Sequence, residues 1–375
     1  MLPVSNLPAG TLSYPLDCEH GSSGSRRNSL PSELTASGPR AGACGANYVN
    51  VKPRVTFYWL NFHLPYACRH SGLCCTAGWP IPVEHARVTA IEAGIARDVI
   101  PLQVVPWLVT GSNLPDDVAG TLALRDNAHC VFFEAGRPGC AIHGVKPASC
   151  AHFPFVCLFD QRGVHVTLSH YCPTSTALLF EHTGPIAIVE GPSPLPDVTM
   201  LEGLDASEAL PPAVAATKPR LMSWDELSEW ERDQVLNAKI DELQGDDVAL
   251  FDRARAAVPA PLSWPEAPDN LESIWFAMVA PAWPHFEDVL SRYAAAKAFA
   301  SWSLYLGDGV AAAAETARIA AAVLRIECAR QCRVFGRPLD RELLSNAIEQ
   351  SDLLLVHYAD PETLARPDAG PNNTA

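Results

Sequence analysis

The sequence predicts an α+β protein in two unlike parts, a small irregular cysteine-cluster domain followed by an all-α helical domain. Two observations carry that expectation. Eight cysteines fall between Cys68 and Cys172, in a stretch broken into short elements by Gly and Pro. Beyond about residue 222 the apolar residues recur instead at helical spacing, with few interruptions. At 375 residues, 48% hydrophobic and 18% charged, the chain can give each part a core of its own.

Taken in order, residues 1–52 are rich in Ser, Gly, Pro and Asn without periodicity, which predicts a disordered leader in which Cys18 and Cys44 are incidental thiols. Residues 53–183 form the expected cysteine-cluster domain. Within it, Val83, Ala86, Ala90 and Ile91 share one face of a helix over about 83–93, with Gly94 as its stop. Val156 to Phe159 and the alternating Val164, Val166 and Leu168 predict the two arms of a hairpin around Asp160-Gln-Arg-Gly163. Residues 184–221 read as a Pro-rich linker, residues 222–362 as the helical domain and residues 363–375 as a disordered tail. Ser223-Trp-Asp-Glu226 is a capping box and should start the first helix. Further helices are expected over 246–258, 270–279, 285–305, 310–334 and 340–357. In the last, Leu343, Leu344, Ala347, Ile348, Ser351, Leu354 and Leu355 make one apolar stripe.

The charge of -15 is concentrated late in the chain, where residues 181–375 hold fifteen Lys and Arg against thirty-one Asp and Glu. An acidic surface repels phosphate backbones and anionic headgroups, which argues against nucleic acid or membrane as the main partner and leaves a basic protein segment as a candidate. Asp246 and Asp247 could attract such a segment, but carboxylates there more simply favour a helix start. No export signal or membrane-spanning run is evident, so a cytoplasmic location is expected. In that reducing compartment cysteines serve as metal ligands or buried thiols rather than as a disulfide framework.

Seven cysteines lie in loop-like surroundings: Cys68, Cys74, Cys75, Cys130, Cys140, Cys150 and Cys172. Cys157 stands apart, on the expected hairpin. A lone cysteine is most often a small buried apolar residue, but seven so close together, two of them adjacent, point to metal. Soft thiolates suit zinc or an iron–sulfur cluster, and packed thiolates need a cation to offset their repulsion. Cys328 and Cys332 would share a helix face and read as packing residues. No P-loop, His-Glu-x-x-His or Gly-x-Ser-x-Gly motif is present.

The run Cys68-Arg-His-Ser-Gly-Leu-Cys74-Cys75, then His129-Cys130-Val-Phe-Phe133, Gly139-Cys140-Ala-Ile-His143 and Lys146-Pro-Ala-Ser-Cys150-Ala-His-Phe-Pro154, resembles the YkgJ-type cysteine-cluster family of zinc- or iron-chelating domains. The resemblance covers about residues 60–175. It implies metal binding by Cys68, Cys74, Cys75, Cys130, Cys140, Cys150 and Cys172. One departure stands out: Ser71 occupies the place of a family cysteine. A hydroxyl is a poor ligand for a soft metal, so the centre has one ligand fewer or takes Cys157, His143 or His152 instead. A looser resemblance, through Cys74-Cys75-Thr-Ala-Gly78-Trp79 and the helical second half, is to flagellin lysine-N-methylases. It implies an S-adenosylmethionine-dependent protein-lysine methylase as the alternative activity. Trp79 itself reads more simply as a core aromatic.

Overall fold

The computed structural model describes residues 55–101, 105–111, 114–134, 139–197, 201–214 and 220–366. The expected leader, with Cys18 and Cys44, lies outside the described residues. In chain order the N-terminal half runs β1 (Phe57–Leu60), α1 (Leu73–Thr76), β2 (Pro82–Glu84), α2 (His85–Ala96), β3 (Leu108–Val109), β4 (Val118–Leu122), α3 (Ala148–His152), β5 (Phe155–Asp160), β6 (Gly163–Leu168) and α4 (Pro173–Glu181). The protein is thus α+β, with two sheets among the described residues.

The larger sheet has the order β7-β1-β6-β5-β8, where β7 is Ile188–Gly191 and β8 is Gly203–Asp205. The segment 184–221, expected as a linker, therefore supplies both edge strands. Its Pro content hid two short runs that find their partners only across the sheet. β5 and β6 pair antiparallel from Phe155↔Leu168 to Asp160↔Gly163, the hairpin the alternation predicts. Gly163 closes it with φ 143°, and a Cβ there would stand 2.5 Å from the Thr56 carbonyl oxygen, so only glycine lets β1 run parallel alongside.

The smaller sheet, β2-β4-β3, carries α2. Val83, expected in that helix, is in β2. Nor does Gly94 stop the helix: it is an interior residue whose missing side chain makes room for Ile100, 2.4 Å from where a Cβ would be. Val83, Ile91, Ile100, Trp107, Leu122, Val131, Phe132 and Ile142 form a separate core here.

The C-terminal half continues with α5 (Trp224–Leu236), α6 (Asp247–Ala256), α7 (Leu271–Ile274), α8 (Glu287–Ala298), α9 (Ser303–Leu306), α10 (Val310–Phe335), α11 (Arg341–Asp352) and α12 (Pro361–Ala365). The capping box is made as expected: Glu226 N–H donates to Ser223 Oγ at 3.1 Å, and Ser223 N–H donates to the Glu226 carboxylate at 2.7 Å. The run expected as one helix over 285–305 breaks at Phe299, and α12 enters the stretch expected as tail, with Leu364 buried. None of the helices described is long and apolar enough to cross a membrane.

The largest core ignores the boundary between the halves. Leu60, Phe62, Leu158, Leu179 and Ala206 pack with Trp275, Tyr293, Val323, Leu344 and Ile348 in one cluster. A buried polar chain crosses the same boundary. Asp352, fully buried on α11, takes an ion pair from Lys297 at 2.5 Å, a hydrogen bond from the Tyr293 hydroxyl at 3.0 Å, and the His170 backbone N–H at 2.5 Å. The Asp352 carboxylate also faces His170 Nδ1 at 3.2 Å, and His170 Nε2 lies 3.1 Å from His63 Nε2. Burial alone would raise the Asp352 carboxyl, but Lys297 and His170 outweigh it and hold it well below its ordinary range. Burial lowers His63 and His170, and takes His357, 2.8 Å from Ser169 Oγ, down to about 4.

Two outcomes follow from this packing. Leu158→Ala on β5 should cost about 2–5 kcal/mol and lower the denaturation midpoint of the helical circular dichroism signal itself, because the helices share its core. For the imidazoles, a folded pKa below the unfolded value of about 6.5 means the unfolded chain binds more protons between that value and the folded one. Stability should therefore fall as pH drops from about 6.5 toward 4. His357→Gln should flatten that part of a urea-midpoint profile against pH.

Candidate metal centre

The cysteine loops owe their placement to close backbone approach. α1 is a single turn that carries Cys74 and Cys75 and begins after Gly72 in the left-handed conformation, φ 81°. A Cβ on Gly72 would stand 2.3 Å from Phe133 Cε2, and one on Gly139 would stand 2.8 Å from the His70 carbonyl oxygen. Both glycines let segment 68–75 lie against residues 130–134 and 139–140. Cys130 N–H donates to the Cys75 carbonyl at 2.8 Å, and Phe133 bridges to Cys140. A short turn follows, opened by His143 N–H donating to the Cys140 carbonyl, and then α3 brings in Cys150.

This arrangement brings five of the seven expected cysteines into one neighbourhood, with Cys75, Cys130 and Cys140 in one packed cluster, although no three of the five sulfurs lie within 4.8 Å of one another. Cys74 Sγ and Cys75 Sγ are 4.0 Å apart. The Cys75 thiol bonds to Cys140 first and to Cys74 second. It is itself pushed far up, whereas these bonds draw Cys74 down and Cys140 down to about 7. Burial raises Cys130 to about 11, with the charges of Cys140 and Cys74 adding to the shift. Burial likewise raises Cys150, which also feels Cys74, Cys140 and Cys130. Lys146 is the cation that favours the thiolates of Cys74 and Cys140. Every described cysteine is a free thiol.

The other two lie at the margin. Cys172, at the start of α4, has its Sγ 3.8 Å from the Tyr66 hydroxyl. That hydroxyl is raised by burial first, then by Cys172, Cys68 and Cys74. Cys68 is exposed, and its sulfur and ring nitrogens of His70 and His143 all lie within 4.8 Å of one another. Of the proposed substitutes for the missing thiol, then, His143 stands near a cysteine. Cys157 does not: it is buried in the larger sheet with Trp59 and Val166, and burial is the one cause acting on its thiol. His152 accepts from Glu202 N–H at 3.4 Å, and burial lowers it. Ser71 is exposed. Cys328 and Cys332 are fully buried packing residues of α10.

His70 was not among the sequence candidates, although the Cys68-x-His70 spacing beside a cysteine motif was there to be read. Trp79 is a packing residue, stacked between His357 at 4.8 Å and Tyr171 at 5.3 Å, and it ties the cysteine loops to the helical half.

No family model, curated protein or solved structure matches this chain.

Gly72→Ala should cost more than about 1 kcal/mol, since alanine is disfavoured at positive φ and its methyl would press on Phe133. The loss should appear as a lower thermal midpoint.

Proposed function

We propose that this chain is a metal-binding protein that holds zinc or an iron–sulfur cluster in the thiol group of Cys74, Cys75, Cys130, Cys140 and Cys150, with Cys172 at its edge. The observation that carries this reading is the convergence of five free thiols from three separate loops. Left to themselves, clustered thiols oppose one another's ionisation and most stay protonated. Lys146 offsets only part of that repulsion. A cation of charge two or more, or an iron–sulfur core, reverses the balance and turns the same crowding into a ligand set. The resemblance to YkgJ-type cysteine-cluster proteins supports the same reading from the spacing of these residues. Because a ligand set assembled from distant loops does not exist in the unfolded chain, metal binding would also stabilise the fold.

The test is anaerobic purification with measurement of zinc, iron and acid-labile sulfide, and a visible spectrum. The expected result is a stoichiometric metal or cluster that is lost from the Cys75→Ser, Cys140→Ser double variant. A chelator should lower the thermal midpoint, because an ion present at one hundred times its Kd contributes about 2.7 kcal/mol. A metal-free protein, or a metal content indifferent to the double variant, would sink the proposal.

A further inference from the structure

We infer that Cys68, His70 and His143 form a second site, separate from the thiol group, that binds a zinc ion and leaves its fourth position to water. The ligand atoms of these three residues are already gathered within 4.8 Å of one another. No further His, Cys, Asp or Glu among the described residues completes the set. Three independent features of the loop aim it at a ligand.

First, Nδ1 of His70 is buried and has no hydrogen-bond partner among the described residues. A buried imidazole nitrogen without a partner is costly, and coordination satisfies it. Second, His70 is held in the left-handed conformation, φ 58°, which a residue with a side chain adopts only when its surroundings impose it. Those surroundings are visible. Arg69 makes a two-pronged ion pair with Glu181 of α4 at 2.6 and 2.7 Å, and on the other side Gly139 lies against the His70 carbonyl. Third, His143 comes from a different segment and sets its ring 4.2 Å from that of His70. The ring stands next to a chain turn anchored on Cys140.

One thiolate and two imidazoles are a borderline donor set that suits zinc, and neither a carboxylate-preferring ion nor an all-sulfur cluster. Three protein ligands instead of four match the open type of zinc site, where water takes the remaining tetrahedral corner. Cys68 is exposed, so that corner faces solvent and a solute could replace the water. Uptake is balanced by the thiol: Zn²⁺ forms a bond to Cys68 Sγ, the sulfur proton goes to solvent, and the imidazoles bind as neutral bases.

The inference does not rest on the proposed thiol centre, and the experiment separates the two. Full-length protein is given Zn²⁺ alone, desalted and weighed by native mass spectrometry, and zinc affinity is measured by competition with a chromogenic chelator. The variants are His70→Asn, His143→Gln and Cys68→Ser, with the Cys75→Ser, Cys140→Ser pair as the contrast. Asparagine tolerates the left-handed conformation, so His70→Asn removes the ring and keeps the backbone. Each of the three single variants should carry one zinc fewer than the parent and weaken that zinc at least about tenfold, since loss of a mere neighbour of a ligand costs about 10–100-fold. The thiol-pair variant should retain this zinc, even if the thiol group proves to hold no metal. Equal zinc content in the parent and in Cys68→Ser, whose exposed position carries no folding risk, would overturn the site. So would loss of this zinc from the thiol-pair variant alone.

Discussion

Everything at the cysteine loops depends on two backbones approaching more closely than side chains would allow. Gly72 and Gly139 permit it, the Cys130 to Cys75 hydrogen bond fixes it, and thiols from three segments become neighbours. Crowding of this kind is unfavourable by itself. Neighbouring thiols oppose one another's ionisation, Lys146 offsets only part of that opposition, and a bound cation would offset more of it.

The rest of the molecule holds those loops from behind. A short α4 begins at Cys172, and the residues just before it, Ser169 and His170, are anchored to His357 and Asp352 of the helical half. Trp79, four residues after Cys75, is stacked on His357. A buried ion pair such as Lys297 with Asp352 adds little net stability over an apolar core, but losing one partner is expensive. The chain of Lys297, Asp352, His170 and His63 joins the two halves through buried polar contacts. The large core does the same with apolar side chains: β1, β5 and α4 contribute to the cluster that the helices fill.

How much of this could be read beforehand varies by residue. The β5–β6 hairpin, the capping box at Ser223 and the stripe on α11 were all legible, because each depends on neighbours a few residues apart. The π-helical turns after α7 and α11, the break at Phe299 and the strands β7 and β8 were not, since tertiary packing overrides weak local preference there. At the candidate centre the residue types were legible and their grouping was not. Cys157 and Cys150 look alike as letters, yet one packs in an apolar sheet while the other feels the charges of Cys74, Cys140 and Cys130.

What the sequence determined alone is chemical character: soft sulfur side chains massed in short Gly- and Pro-broken segments, helices after residue 222, and an acidic late half. Those are properties of composition and short-range periodicity, and no folding is needed to fix them. Tertiary structure decided which sulfurs meet, that His70 and His143 stand beside Cys68, and that the halves share one core. Such groupings join residues as far apart in the chain as Leu60 and Leu364. They are set by where loops close and which volumes fill, which no local pattern encodes.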